Sequence, residues 1–270
     1  MRINRELGRT PERLYMRAVA VAFWLIVWDL GARALGQDIL LTPPLRVLNI
    51  LFGLMRERGF YMALVSSTLR ISAGFALALV IGTVLGVAAH VLPPVRALLR
   101  PLMMCVKSVP VASFVILALV WVRARYLSVF ISFLMALPIF YSQVGLGLES
   151  VDVKLLEMAD VFDVGFMRRL KYLYMPAVKQ PLLSACRLAC GLCWKSGVAA
   201  EVIGLPPGSI GERLYDAKIY LNTGEVLAWT LVIVLISLAC EKLIPGAKRD
   251  EAGECLKIVC RPPRAEQSDV

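Results

Sequence analysis

The chain has 270 residues, of which 59% are hydrophobic and only 19% charged, with a formal net charge of +10. Soluble domains run about 45–50% apolar and about 25% charged, so this composition excludes an ordinary soluble fold and makes a bilayer the expected solvent. The excess of Lys and Arg sits beside apolar runs, with no basic groove or stacking aromatics, which points to anionic lipid and not to nucleic acid.

A membrane helix needs about 20 mostly apolar residues, and six runs meet that need, at about 18–35, 71–91, 103–122, 127–148, 182–205 and 226–244. In the first, Asp29 and Arg33 stand one turn apart and are expected to pair. No small-residue cleavage site follows "FWLIVWDLGARALGQ", so this run reads as an uncleaved span. The second carries no formal charge, and Gly74, Gly82 and Gly86 are spaced for close helix approach. Lys107 and Pro110 lie near the start of the third run, and Pro138 interrupts the fourth. His90, the single histidine, falls at the end of the second and is expected at the interface, where it has no second histidine for a metal site.

Six spans place both termini on one side. The segments on that side hold about twice as many Lys and Arg as the opposite ones, which assigns them to the cytoplasm. The expected fold is therefore all-α, a polytopic membrane protein with six transmembrane helices and both termini cytoplasmic. Its divisions are a cytoplasmic segment 1–17, a six-span domain 18–245 with a cytoplasmic loop 149–180, and a loose tail 246–270.

Within the fifth run, Cys186, Cys190 and Cys193 read CxxxCxxC, the spacing with which radical enzymes hold an iron–sulfur cluster. On a helix these are i, i+4 and i+7, one stripe of one face, and they are expected to form a packing seam, not a metal site. All seven cysteines fall on the side assigned to the cytoplasm or in the half-spans adjoining it, a set of reduced thiols and not a disulfide framework. Lys195 and Glu201 also lie in this run, where ionisable groups are costly and often functional. Six residues apart, they point in different directions and are candidates for the translocation path.

The longest polar stretch between spans is "ESVDVKLLEMADVFDVGFMRRLKYLYMPAVKQ". Its length exceeds a simple turn, and its apolar residues recur at helical spacing, so folded helices are expected there. Pro176 is expected to stop the last of them before the fifth span.

This loop resembles the EAA signature of ABC importer permeases, in which Glu-Ala-Ala is followed at fixed distances by Gly, an aliphatic residue and Leu-Pro. Here those places hold Glu157, Met158 and Ala159, then Asp163, then Leu173, Met175 and Pro176. The spacing matches, while Met for Ala, Asp for Gly and Met for Leu depart. Asp tolerates positive φ, so either Asp163 makes the turn or Gly165 takes it over. The stretches "LLTPPLRVLNIL", "STLRISAGFALALVIGTVLG", "RPLMMCVKSVPVASFVILALVW" and "GLCWKSGVAAEVIGLPPGSIGERLYDAK" extend the resemblance to the nitrate, sulfonate and taurine branch.

The resemblance implies an ABC type I importer permease in the inner membrane of a prokaryote. It implies three partners: a cytoplasmic ABC ATPase, a second permease copy forming a homodimer, and an extracytoplasmic solute-binding protein. Glu157 would make a polar contact to the ATPase, with Met158, Ala159, Val164, Phe166 and Met167 as apolar knobs. The chain itself has no GxxxxGK[ST] loop, so ATP is expected on the partner and no cofactor on this chain. The solute would resemble aliphatic sulfonates, taurine or nitrate; a thiamine pyrimidine precursor or similar heterocycle is the alternative within transport. A polytopic membrane enzyme is the alternative outside it, but it would need a cluster of catalytic side chains that the sequence does not display, and no catalytic residue is assigned.

Overall fold

The computed structural model describes residues 11–37 and 39–244. Most of the expected N-terminal segment, the whole tail 246–270 and Cys255 and Cys260 lie outside the described residues. Within them the chain is all-α, as expected, with helices α1 (Pro11–Leu35), α2 (Pro44–Leu54), α3 (Arg58–Val91), α4 (Pro93–Ser108), α5 (Val111–Leu119), α6 (Ala124–Glu149), α7 (Val153–Val161), α8 (Phe166–Arg169), α9 (Met175–Gly204), α10 (Ile210–Ile219) and α11 (Thr223–Leu243). Contacts divide the chain into two compact units. One comprises the described residues up to Gly74 with Pro110–Ser132 and Trp194–Ile236, and the other Phe75–Val109, Phe133–Cys193 and the described residues from Ser237 onward.

Helices α3, α6 and α11 are each long and apolar enough to cross a bilayer, and α4 with α5 makes a fourth candidate as a broken pair. Helices α1 and α9 cover the first and fifth expected runs. Hydropathy alone does not mark α9, because Lys179, Arg187, Lys195 and Glu201 interrupt it. The ion pair expected in α1 forms, with Arg33 Nε 2.7 Å from Asp29 Oδ2.

Three expected boundaries change, each for a backbone reason. The second span starts 13 residues earlier than its apolar run, since α3 has 34 residues; at 1.5 Å per residue this is about 51 Å, well beyond a hydrocarbon core of about 30 Å. The third run is not one helix: α4 and α5 meet at a 103° bend. Val109 is extended at φ −78°, ψ 133°, the conformation forced on a residue before proline, and Pro110 opens the next helix. Pro176 does not stop a helix either. A π-helical turn at Leu170–Tyr174 leads directly into α9, with the Met175 N–H bonded back to the Leu170 carbonyl, five residues away. The wider turn carries the chain past a residue that has no N–H to donate.

In the first unit, Trp229 of α11 stacks on Phe60 of α3 with centroids 5.0 Å apart. In the second, α3 and α6 approach backbone to backbone. A Cβ on Gly82 would lie 2.7 Å from Phe140 Cβ, and one on Gly86 would lie 2.9 Å from Val144 Cβ. The glycines picked out by their spacing therefore do make the close contact at these two places, where packing rather than hydrophobic transfer holds membrane helices together. Gly86→Val should cost about 1–3 kcal/mol of overpacking, read as a lower thermal midpoint of the detergent-purified protein; an unchanged midpoint would mean that α3 and α6 separate freely.

Candidate coupling loop and buried polar cluster

The loop after α6 begins with a side-chain cap. Asp152 Oδ1 accepts the Lys154 N–H at 2.9 Å, satisfying one of the donors a helix start leaves unpaired, and α7 then runs for nine residues. Its end is a Schellman turn: the Val164 N–H bonds to the Ala159 carbonyl at 2.9 Å and the Asp163 N–H to the Asp160 carbonyl at 3.1 Å. Asp163 sits between them at φ +47°. Gly165, by contrast, has φ −57°, ψ 149° and opens α8. The turn thus belongs to Asp163, and Gly165 provides no left-handed residue.

One side chain fastens this turn. Arg169 donates from Nε to the Val164 carbonyl at 2.6 Å and from a terminal nitrogen to the Ala159 carbonyl at 3.0 Å. It also pairs with the carboxylate of Asp160. Three contacts from one planar guanidinium fix α8 against the end of α7, a geometry lysine could not reproduce. Arg169 is not among the residues expected from the sequence; its place nine residues after Asp160, an acidic residue at the end of α7, was the available signal.

The clamp leaves apolar side chains outward. Val161, Phe162, Phe166 and Met167 are 82, 74, 71 and 75% exposed, and Met158 is half exposed. Ala159, expected to project, is instead buried, because it lies at the turn that Arg169 covers. Glu157 is exposed, Val164 and Leu173 are partly buried, and Met175 and Pro176 are exposed where α9 begins. The structure therefore gathers Met158, Phe166 and Met167 with the unexpected Val161 and Phe162 around one short turn. An exposed apolar group of this kind marks an interaction site.

The other expected site residues separate. Lys195 is exposed on α9, whereas Glu201 is fully buried. Glu201 Oε2 accepts the Ser67 hydroxyl at 2.6 Å and the Gly211 N–H at 3.4 Å, and the Ser67 oxygen accepts the Ile210 N–H at 2.9 Å. Arg70 stands 3.7 Å from Glu201 Oε1 and donates to the Pro207 carbonyl at 3.3 Å. Gly211 is required here, since a Cβ would collide with Glu201 itself. One carboxylate thus ties α3, the end of α9 and the start of α10 together. Cys186, Cys190 and Cys193 line one stretch of α9, the latter two buried.

The family described as "Binding-protein-dependent transport system inner membrane component" matches residues 74–243. The putative aliphatic sulfonates transport permease protein SsuC of Bacillus subtilis is 26% identical over 234 residues, 86% of this chain and 83% of that one. The taurine transport system permease protein TauC of Escherichia coli is 27% identical over 231 residues, covering 83% and 82%. The nitrate import permease protein NrtB of Synechocystis is 22% identical over 237 residues, covering 84% and 85%. Among solved structures, an amino acid ABC transporter chain aligns with a TM-score of 0.53 at 14% identity, over 68% of this chain and 91% of that one, a likeness of fold.

Two outcomes follow from the geometry. Arg169→Ala should free α8 from α7 and speed limited proteolysis within 150–180, while an unchanged rate would mean that the backbone turn alone holds the loop. Glu201→Ala leaves the partly buried Arg70 without its carboxylate, a loss of up to about 3–5 kcal/mol, seen as reduced recovery of folded protein after membrane extraction; full recovery would show that the cluster does not hold these helices.

Proposed function

This chain belongs to the family of binding-protein-dependent transport system inner membrane components, and on that premise we propose that it imports a small solute through coupling to a separate ATPase at the 149–180 loop. Its relatives are transport permeases and not enzymes, and the chain is a multi-pass membrane protein. The family implies an ABC ATPase and a solute-binding protein as partners.

The observation that carries the proposal is the apolar turn at Val161, Phe162, Phe166 and Met167, exposed yet rigidly held by Asp163 and Arg169. A lever must be stiff to transmit motion, and a docking surface must be apolar and free to be covered. The loop has both properties. Closure of two ATPases on ATP would move it as a body and shift the spans between access states, with Glu157 as a polar contact at the rim. Six spans, with α1 and α9 crossing as well, would put both termini and this loop on the cytoplasmic side, and a second copy of the permease would complete the path. Lys195 and Glu201 remain candidates for that path, Lys195 as a contact and Glu201 as a support for the segment after α9.

The relatives support a reading of the solute class: aliphatic sulfonates, taurine and nitrate are named for three of them, which favours a small solute with an oxyanion group. A Phe162→Glu, Phe166→Glu double variant should insert into the membrane at wild-type level but lose most of the ATPase recovered with the tagged permease in mild detergent. Wild-type recovery of the ATPase would overturn the docking assignment.

A further inference from the structure

A cavity of about 420 Å³ lies where the end of α3, the first half of α4 and the end of α6 converge, all within the second unit. Its size is in the range of small-ligand sites. We propose that it binds a small oxyanion, a site separate from the coupling loop and resting on geometry alone.

The polar lining is one-sided. Arg96 and Arg100 stand four residues apart on α4, so both face the cavity from one side of the helix. His90 of α3 and Tyr141 of α6 also line it and bring further donors. Glu149, the one carboxylate in the lining, already pairs with Arg96. Ser142, also in the lining, donates its proton to the Pro138 carbonyl at 2.6 Å and accepts Lys107 Nζ at 3.4 Å, so a further cation adjoins the wall. The sum of these groups is positive, and Arg100 has no carboxylate partner among the described residues. Two guanidiniums at this spacing repel unless an anion sits between them, and arginine forks match the geometry of an oxyanion.

The cavity is also built open by small residues. Gly86 is occupied by its contact with Val144, but a Cβ on Gly145, which lines the space, would meet nothing within 4 Å. The pair between Arg96 and Glu149 is solvent-exposed, with side chains 57 and 45% accessible, and such pairs contribute little. An incoming anion can therefore compete with Glu149 for Arg96. Because Glu149 is the last residue of α6, directly before the coupling loop, occupancy would release α4 from the root of that loop.

The oxyanion could be that of a free solute or of a lipid phosphate, and one experiment separates them. The full-length protein in phosphatidylcholine nanodiscs is titrated with sodium sulfate or sodium nitrate at constant ionic strength in chloride, and its thermal midpoint is followed. A parallel sample carries phosphatidylglycerol and no added oxyanion. A saturable rise with sulfate or nitrate identifies a free-anion site, and a rise with phosphatidylglycerol that added sulfate does not increase identifies a lipid phosphate. Either rise must vanish in Gly145→Leu, which fills the space without a backbone clash, and in Arg100→Gln. If the latter does not fold, Gly145→Leu decides alone. No rise from any source, or an equal rise in the variants, overturns the proposal.

Discussion

Hydrocarbon offers the backbone no hydrogen-bond partner, and the rest of this chain is arranged around that constraint. Every N–H and C=O at membrane depth must be paired within its own segment, which is why the described residues form helices from end to end and why no strand occurs among them. The same constraint decides what each proline does. Pro110 falls at a junction where Val109 is already extended, and there the helix breaks and turns by 103°. Pro176 falls where a π-helical turn absorbs the missing donor, and there the helix continues. Identical residues thus stand at a break in one place and inside a continuing helix in the other.

Where the chain leaves the hydrocarbon, the accounting changes from backbone to side chain. At the end of α7 the last carbonyls are paired by the Schellman bonds and by Arg169, and the Ala159 carbonyl accepts from both. Water could have satisfied those groups at no structural cost. Side-chain fastening instead gives the turn one conformation, so that four large apolar groups are presented in a fixed array. Stiffness of this kind is what coupling to an ATPase requires, and it is the physical content behind the functional reading.

Most of the architecture was legible because hydropathy is a direct record of the solvent. The runs at 71–91 and 127–148 each lie within a helix and that at 226–244 overruns its helix by one residue, and the glycine spacing in 71–91 located two real close contacts, at Gly82 and Gly86. What could not be read was anything depending on a partner distant in sequence. Glu201 looked like an isolated charge near the end of a span, but Ser67 and Arg70 enclose it from more than 130 positions away. Ala159 looked like one more small apolar residue of a signature, yet Arg169 covers it. The choice between Asp163 and Gly165 was undecidable from composition, since both residues tolerate positive φ; the bond from Val164 to Ala159 decides it.

The central claim is that the turn at 161–167 docks on an ATPase. A photo-crosslinking residue introduced at position 162 in the tagged permease, activated in the intact membranes of its host, tests it directly, because the adduct can be identified by mass spectrometry. The account predicts a single protein adduct with an ABC ATPase, dependent on the loop being folded. Adducts with lipid alone, or with no ATPase at any level of expression, would contradict it and leave the exposed apolar turn as a membrane-surface contact.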